Sequence, residues 1–174
     1  NDDDIAVIAL WISFNSCYSV DAQRHRDLSE RKKFHQLTIN LVRFDIDKRL
    51  YDLIWKKYPK EVRALVGNKF IFAPYWASLK EPDLNWQDPF TKSRRLALSA
   101  LKKEDTAILL SILLDRLYVL RNQLFHGAAT YKGGVNRDQV RDAKGFLLEL
   151  MPIIIELMFN KANWGEIYFP VIDQ

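Results

Sequence analysis

An arginine and a histidine stand five residues apart in the string Leu120-Arg-Asn-Gln-Leu-Phe-His-Gly127. Arg121 carries a planar fork of donors that suits a phosphate, and His126 can move a proton near neutral pH. Asn122 lies four residues before His126 and so shares its helix face, where the amide can orient the imidazole or bind a substrate oxygen. Together they meet the minimum needs of RNA cleavage without a metal. The alternative is that Arg121 and His126 only cap carbonyl groups at a helix end.

The element that must position these residues is the most apolar stretch of the chain. Leucines and isoleucines at spacings of three and four predict a helix from Asp105 or Thr106 to His126, with Gly127 placed to stop it. This helix is apolar on more than one face, so it is either central to the core or half of an interface. We expect a two-fold dimer formed partly by it.

Similar patterns predict helices along most of the remaining chain. Asp2 to Asp4 precede a first helix that ends near Tyr18, in which Ile5, Ile8, Trp11 and Ile12 share a face. Further helices are predicted over 29–44, 46–58, 61–66, 88–103 and from 136 onward. Amphipathic helices with short links favour an all-α helical bundle, and we expect one domain over residues 1–174.

Residues 68–90 differ from the rest of the chain. Six aromatic residues and three prolines rule out one straight helix; the aromatic residues are Phe70, Phe72, Tyr75, Trp76, Trp86 and Phe90. We interpret the segment as an irregular insertion anchored onto the core by its rings. The alternative is an aromatic platform that stacks on nucleobases.

Composition narrows the class of protein further. The net charge of +4 is a mild basic excess, compatible with an anionic partner. The single cysteine, Cys17, excludes an internal disulfide and suits a buried, inert thiol. Metal-ligand spacings are lacking, so we expect neither a metal nor another cofactor. With no bilayer-spanning apolar run and an acidic start at Asp2 to Asp4, we expect no membrane contact and a cytoplasmic location.

The other histidines and basic clusters have weaker interpretations. His25 and His35 lie in charged surroundings and are expected to be solvated surface residues. The basic runs over 24–33 and at Arg94-Arg95 can hold an RNA backbone, but isolated clusters of this kind more often form a solvated face.

The string from Arg121 to Gly127 resembles the signature of the HEPN superfamily (higher eukaryotes and prokaryotes nucleotide-binding). In that signature four to six residues separate an arginine, often followed by a polar residue, from a histidine; here four residues separate Arg121 from His126. The setting is also similar: a late apolar helix, then a loop, then one more long helix. The opening Leu10-Trp-Ile-Ser-Phe-Asn-Ser-Cys-Tyr18 is similar to the first helix of many bacterial members, whereas the 68–90 segment has no counterpart.

This resemblance implies a homodimeric bundle in which two copies of Arg121 and His126 form one composite site, with Asn122 as an accessory polar residue. It implies a metal-independent endoribonuclease, as in toxin–antitoxin, phage-defence or RNA-processing systems, with RNA and an antitoxin or fused protein as partners. One alternative is a non-catalytic HEPN module that binds a nucleotide, RNA or a protein. The other is a structural bundle in which both residues only cap the helix.

Overall fold

The computed structural model describes residues 2–18, 29–125 and 137–159. Within these ranges the chain forms eight α-helices and no strand. The helices are α1 (Asp3–Tyr18), α2 (Glu30–Phe44), α3 (Arg49–Asp52), α4 (Pro59–Gly67), α5 (Ala73–Ser78), α6 (Gln87–Lys103), α7 (Thr106–Phe125) and α8 (Arg137–Phe159). A π-helical turn (Leu53–Lys57) follows α3, and a 3₁₀ turn (Lys69–Ile71) precedes α5. The prediction of an all-α bundle is confirmed.

Helix α7 is the central element of the bundle. It contacts α1, α2, α4 and α6, and buried residues lie along most of its length. An apolar surface on several faces is what a helix surrounded by others requires. The pattern that suggested half of an interface is therefore accounted for within one chain.

The buried face of α1 differs from the predicted one. The structure buries Val7, Trp11 and Phe14, whereas Ile5 and Ile12 are exposed. Of the four residues predicted to share a face, Trp11 is buried and Ile8 is half-buried, and the prediction is wrong as a buried face at Ile5 and Ile12. The reason is that α1 is apolar on every side, so the large rings decide: Trp11 packs 5.1 Å from Phe14 and 6.2 Å from Phe34, measured between ring centroids.

The acidic residues at the start of α1 have two different roles. Asp2 caps the helix, because its carboxylate accepts a hydrogen bond from the Ile5 amide at 3.3 Å. Asp4 is buried and lies 2.7 Å from the guanidinium of Arg137, while Asp3 lies 2.5 Å from the ammonium of Lys144. These ion pairs hold α1 against α8, the helix along which it packs most extensively.

The segment 68–90 contains a 3₁₀ turn, α5 and a series of turns that lead into α6. Its rings pack mainly on one another: Tyr75 lies 5.1 Å from Trp86, and Phe72 lies 5.2 Å from Phe90. Of the six rings only Phe72 is buried, and Phe70 is 43% exposed. The expectation that all six rings anchor the segment in the core is therefore corrected to one ring.

None of the described helices combines the length and apolar character needed to cross a lipid bilayer.

Candidate functional site

The last two turns of α7 hold two of the three predicted site residues. Arg121 donates a hydrogen bond from Nη1 to the Asn122 side-chain oxygen at 2.8 Å, and both side chains are half-buried. Neighbouring residues on a helix point in different directions, so this bond requires the long arginine side chain to turn back toward Asn122. The guanidinium also lies over the Phe125 ring, 5.4 Å from its centroid. Asn122 therefore holds the guanidinium in place.

The 68–90 segment is attached to the same end of α7. The buried Gln123 side chain donates a hydrogen bond to the Phe70 carbonyl oxygen at 2.5 Å, and the Trp76 indole donates to the same oxygen at 2.6 Å. One backbone carbonyl thus joins the aromatic segment to the turn that carries Arg121. This link was not predictable from the sequence, because nothing but its place beside Asn122 distinguishes Gln123 there.

The third predicted site residue, His126, lies outside the described residues, as does His25. Gly127, the loop over 128–134 and Asn136 lie there too. The structure therefore brings Arg121 and Asn122 together and gives no distance from either one to the imidazole.

A second cluster, absent from the sequence-based prediction, surrounds Arg116 in the middle of α7. Arg116 is only 3% exposed, and its guanidinium donates to Ser93 Oγ at 2.8 Å and to the Val66 carbonyl at 3.4 Å. It lies over the Phe72 ring, 4.5 Å from the centroid. Within the described part of the chain, no carboxylate pairs with it directly. The sequence feature that could have indicated this cluster is the charged pair Asp115-Arg116, which interrupts an otherwise apolar run.

Burial has an electrostatic cost at Arg116. It lowers the pKa of the guanidinium from its ordinary value to about 10, while the nearby Asp115 opposes the change. This lowering corresponds to about 3 kcal/mol against the charged form. The guanidinium still carries its charge at neutral pH. It is therefore a buried cation that contacts a hydroxyl, a backbone carbonyl and two aromatic rings.

Beside Arg116, three charged or titratable side chains meet between α2 and α7. Asp115 lies 3.4 Å from Arg31 Nε and 3.4 Å from His35 Nε2. Both separations exceed those of charge-assisted hydrogen bonds, and among the described residues Arg31 Nε, His35 Nε2 and Asp115 Oδ1 are buried atoms without a hydrogen-bond partner. His35 is half-buried here, so its prediction as a solvated surface residue is corrected.

Two adjoining cavities open at this cluster. The smaller, of about 150 Å³, is lined by Arg31, Arg116, Ser93, Asp115 and apolar atoms of α5 and α7. The larger, of about 500 Å³, runs between α2, α6 and α7 and is lined by His35, Lys92 and several aliphatic side chains. Ser93 and Asp115 line both. The two openings therefore share one polar edge.

Across the described residues, no three His, Cys, Asp or Glu side chains are grouped closely enough to hold a metal ion. The polar groups that the two clusters present are the guanidiniums of Arg31, Arg116 and Arg121, the Asn122 amide, the Ser93 hydroxyl, the His35 imidazole and the Asp115 carboxylate. Guanidinium groups bind and stabilise anions.

Comparison with protein-family models, curated proteins and solved structures gave no match for this chain. The resemblance to the HEPN superfamily therefore stays a prediction from the sequence, based on residues 120–127 with their setting and on residues 10–18.

Proposed function

We propose that this protein is a metal-independent endoribonuclease of HEPN type. The observation that carries the proposal is the Arg121 guanidinium, held at 2.8 Å by Asn122 near the end of the central helix, five residues before His126. A guanidinium fixed in advance stabilises a crowded phosphate better than a mobile one, because no reorganisation is needed during the reaction. In the alternative in which Arg121 only caps the helix, its guanidinium would contact backbone carbonyls. In the structure it donates a hydrogen bond to the side-chain amide oxygen of Asn122.

The proposed reaction uses the RNA strand's own nucleophile. The 2′-hydroxyl loses a proton to a His126 imidazole, its oxygen attacks the adjacent phosphorus, and the bond from phosphorus to the 5′-oxygen breaks. The leaving oxygen takes up a proton, so the products are a 2′,3′-cyclic phosphate and a 5′-hydroxyl. Arg121 stabilises the negative charge on the phosphorane.

A homodimer completes this proposal. One imidazole accepts a proton while a second can donate one, so two copies of His126 divide the roles of base and acid. The two Arg121 side chains would then face the same phosphate. The resemblance to the HEPN superfamily also suggests an antitoxin as a partner, or a role in phage defence.

The decisive test is RNA cleavage by purified protein in EDTA, with the new ends identified. We expect cleavage to persist and to leave 2′,3′-cyclic phosphates. His126→Ala should lower the rate about a hundredfold or more, the scale of losing one acid–base group. Arg121→Lys should also impair cleavage, because a point charge does not replace a planar fork.

The controls separate chemistry from folding. Arg63→Lys makes the same change at an exposed position of α4 and should leave the rate unchanged. Asn122→Ala should lower the rate less than His126→Ala, since it frees the guanidinium without removing it. Full activity in His126→Ala, or loss only together with the helical circular dichroism signal, would return Arg121 and His126 to a capping role.

A further inference from the structure

We propose that Arg31 and Arg116 bind a phosphodiester of the RNA strand in the small cavity beside Ser93, at a distance from the scissile phosphate. The inference takes its ligand, RNA, from the proposed function. It adds a second contact for the same strand, on the side of α7 that faces α2 and α6.

The cavity has the size of a phosphate group. Its volume is about 150 Å³, and one water occupies about 30 Å³ of liquid. A phosphate with a few waters fits, whereas the sugars and bases of the strand must lie outside. Arg31 stands at the opening with a side chain that is 42% exposed, while Arg116 is buried at the wall. The Arg31 guanidinium can therefore contact the strand at the surface, and the Arg116 guanidinium can bind its phosphate inside the cavity.

The charges at the cavity suit a phosphodiester. Arg31, Arg116 and Asp115 line it, which leaves one net positive charge against the single negative charge of a phosphodiester. Arg116 has no direct carboxylate partner in the described ranges, and its contact with Ser93 leaves other donors of the fork available. Arg31 lies 3.4 Å from Asp115, too long for a strong charge-assisted bond, and can turn to the ligand.

The positions of Arg116 and Arg121 on α7 define how a bound strand would run between the two sites. Arg116 and Arg121 are separated by five residues, which is a rise of about 7.5 Å and a rotation of about 140° on helix geometry. The two residues therefore lie on different sides of α7, and a strand that contacts both guanidinium groups follows the surface of the bundle between them. Lys92, which lines the adjoining larger cavity, and Arg95 are exposed cations of α6 and supply long-range attraction for the strand.

The experiment measures binding apart from cleavage. A fluorescent single-stranded RNA with 2′-O-methyl groups lacks the attacking hydroxyl, so its anisotropy reports affinity for the active protein. Arg31→Gln should weaken binding about five- to twentyfold at moderate salt. It should also lower the slope of log affinity against log salt by about 0.7, the value for one phosphate contact on a single strand. Arg43→Gln, on the same helix and exposed, is the matched control and should change neither quantity.

The buried arginine is tested by Arg116→Lys, with thermal unfolding as the check on folding. A folded Arg116→Lys protein should bind the RNA more weakly, because lysine loses the fork. If this variant unfolds, Arg31→Gln still decides, since its side chain is half-exposed. Equal affinity and equal salt slope in Arg31→Gln and Arg43→Gln would overturn the inference.

Two further arms separate the possible sources of phosphate and the two proposals. Inorganic phosphate at millimolar concentration should compete only weakly with the RNA; strong binding of free phosphate with no displacement of RNA would overturn the assignment to RNA. Absence of cleavage by the wild type, with Arg31→Gln still weakening RNA binding, would refute the proposed function and support this site. Normal cleavage by the wild type, with RNA binding unchanged in Arg31→Gln, would support the proposed function and refute this site.

Discussion

The single cysteine of the chain has a thiol that its surroundings keep protonated. Cys17 is half-buried near the end of α1 and packs against the core, and its Sγ donates a hydrogen bond to the Ser13 carbonyl at 3.5 Å. Burial raises the pKa of the thiol from 9.0 to about 11, because the thiolate would lose solvation. Since only the thiolate is nucleophilic, Cys17 should react slowly at physiological pH.

We predict that a thiol reagent modifies Cys17 in the folded protein about a hundredfold more slowly at pH 8 than in urea. A pKa that is higher by about two reduces the thiolate fraction by about that factor. The rate in the folded protein should rise about tenfold for each pH unit up to the raised pKa. Stopped-flow or spectrophotometric assay with a disulfide reagent measures both quantities. Comparable rates in the folded and unfolded chain would show that the thiol is not desolvated.

At the residue scale, the sequence predicted only part of the site. Arg121 and Asn122 were identified from their spacing to His126, but their mutual hydrogen bond was not, because residues adjacent on a helix do not ordinarily face each other. Arg116 was missed for a different reason. The environment of a charged residue inside an apolar run depends on residues distant in sequence. For Arg116 these are Val66 and Ser93, which accept its hydrogen bonds.

Among the elements, α3 depends on a cap that lies outside it. Asp45 accepts hydrogen bonds from the backbone amides of Arg49 at 2.9 Å and Leu50 at 2.8 Å, one at each carboxylate oxygen. The first amides of a helix have no partner within the helix, and a carboxylate also complements the positive end of the helix dipole. Asp45 therefore fixes where the turn after α2 becomes α3.

We predict that Asp45→Ala lowers the free energy of unfolding by about 1–2 kcal/mol, the usual effect of removing a capping side chain. Asp45→Asn should lose less, because its amide oxygen retains one acceptor. Asp47→Ala removes the same charge at an exposed position of the same turn and should be nearly neutral. Urea denaturation followed by circular dichroism compares the three. A loss in Asp47→Ala equal to that in Asp45→Ala would mean that net charge, and not the cap, is responsible.

The helix boundaries were largely predictable, whereas the choice of buried face was not always so. Local signals set the ends: Ser29 accepts a hydrogen bond from the Lys32 amide and caps α2, which begins one residue after the predicted start at 29. In α1 the apolar residues surround the axis, so periodicity left the orientation open. Packing of Trp11 and Phe14 against Phe34, which is distant in sequence, resolved it.

At the scale of the whole molecule, the proposed dimer needs a surface other than the long faces of α7. Leu113, Leu117 and Leu120 are fully buried within one chain and have no free face to offer. At the end of the same helix, however, the Phe125 ring is 62% exposed and stacks on the guanidinium of Arg121. If two copies form one composite site, this end of α7 must approach its counterpart.

We therefore predict a two-fold dimer at micromolar concentration, with Phe125 inside the interface. Phe125→Ser should weaken dimerisation at least tenfold, since an aromatic ring contributes about 1.5–3 kcal/mol when it is buried, and RNA cleavage should fall with it. Leu98→Ser, at a residue of α6 that is 61% exposed, is the matched control and should leave both unchanged. Light scattering over a concentration series measures the mass, and the cleavage assay runs on the same samples. A wild-type protein that stays monomeric throughout yet cleaves RNA would require one Arg121 and one His126 to suffice, and the composite site would have to be abandoned.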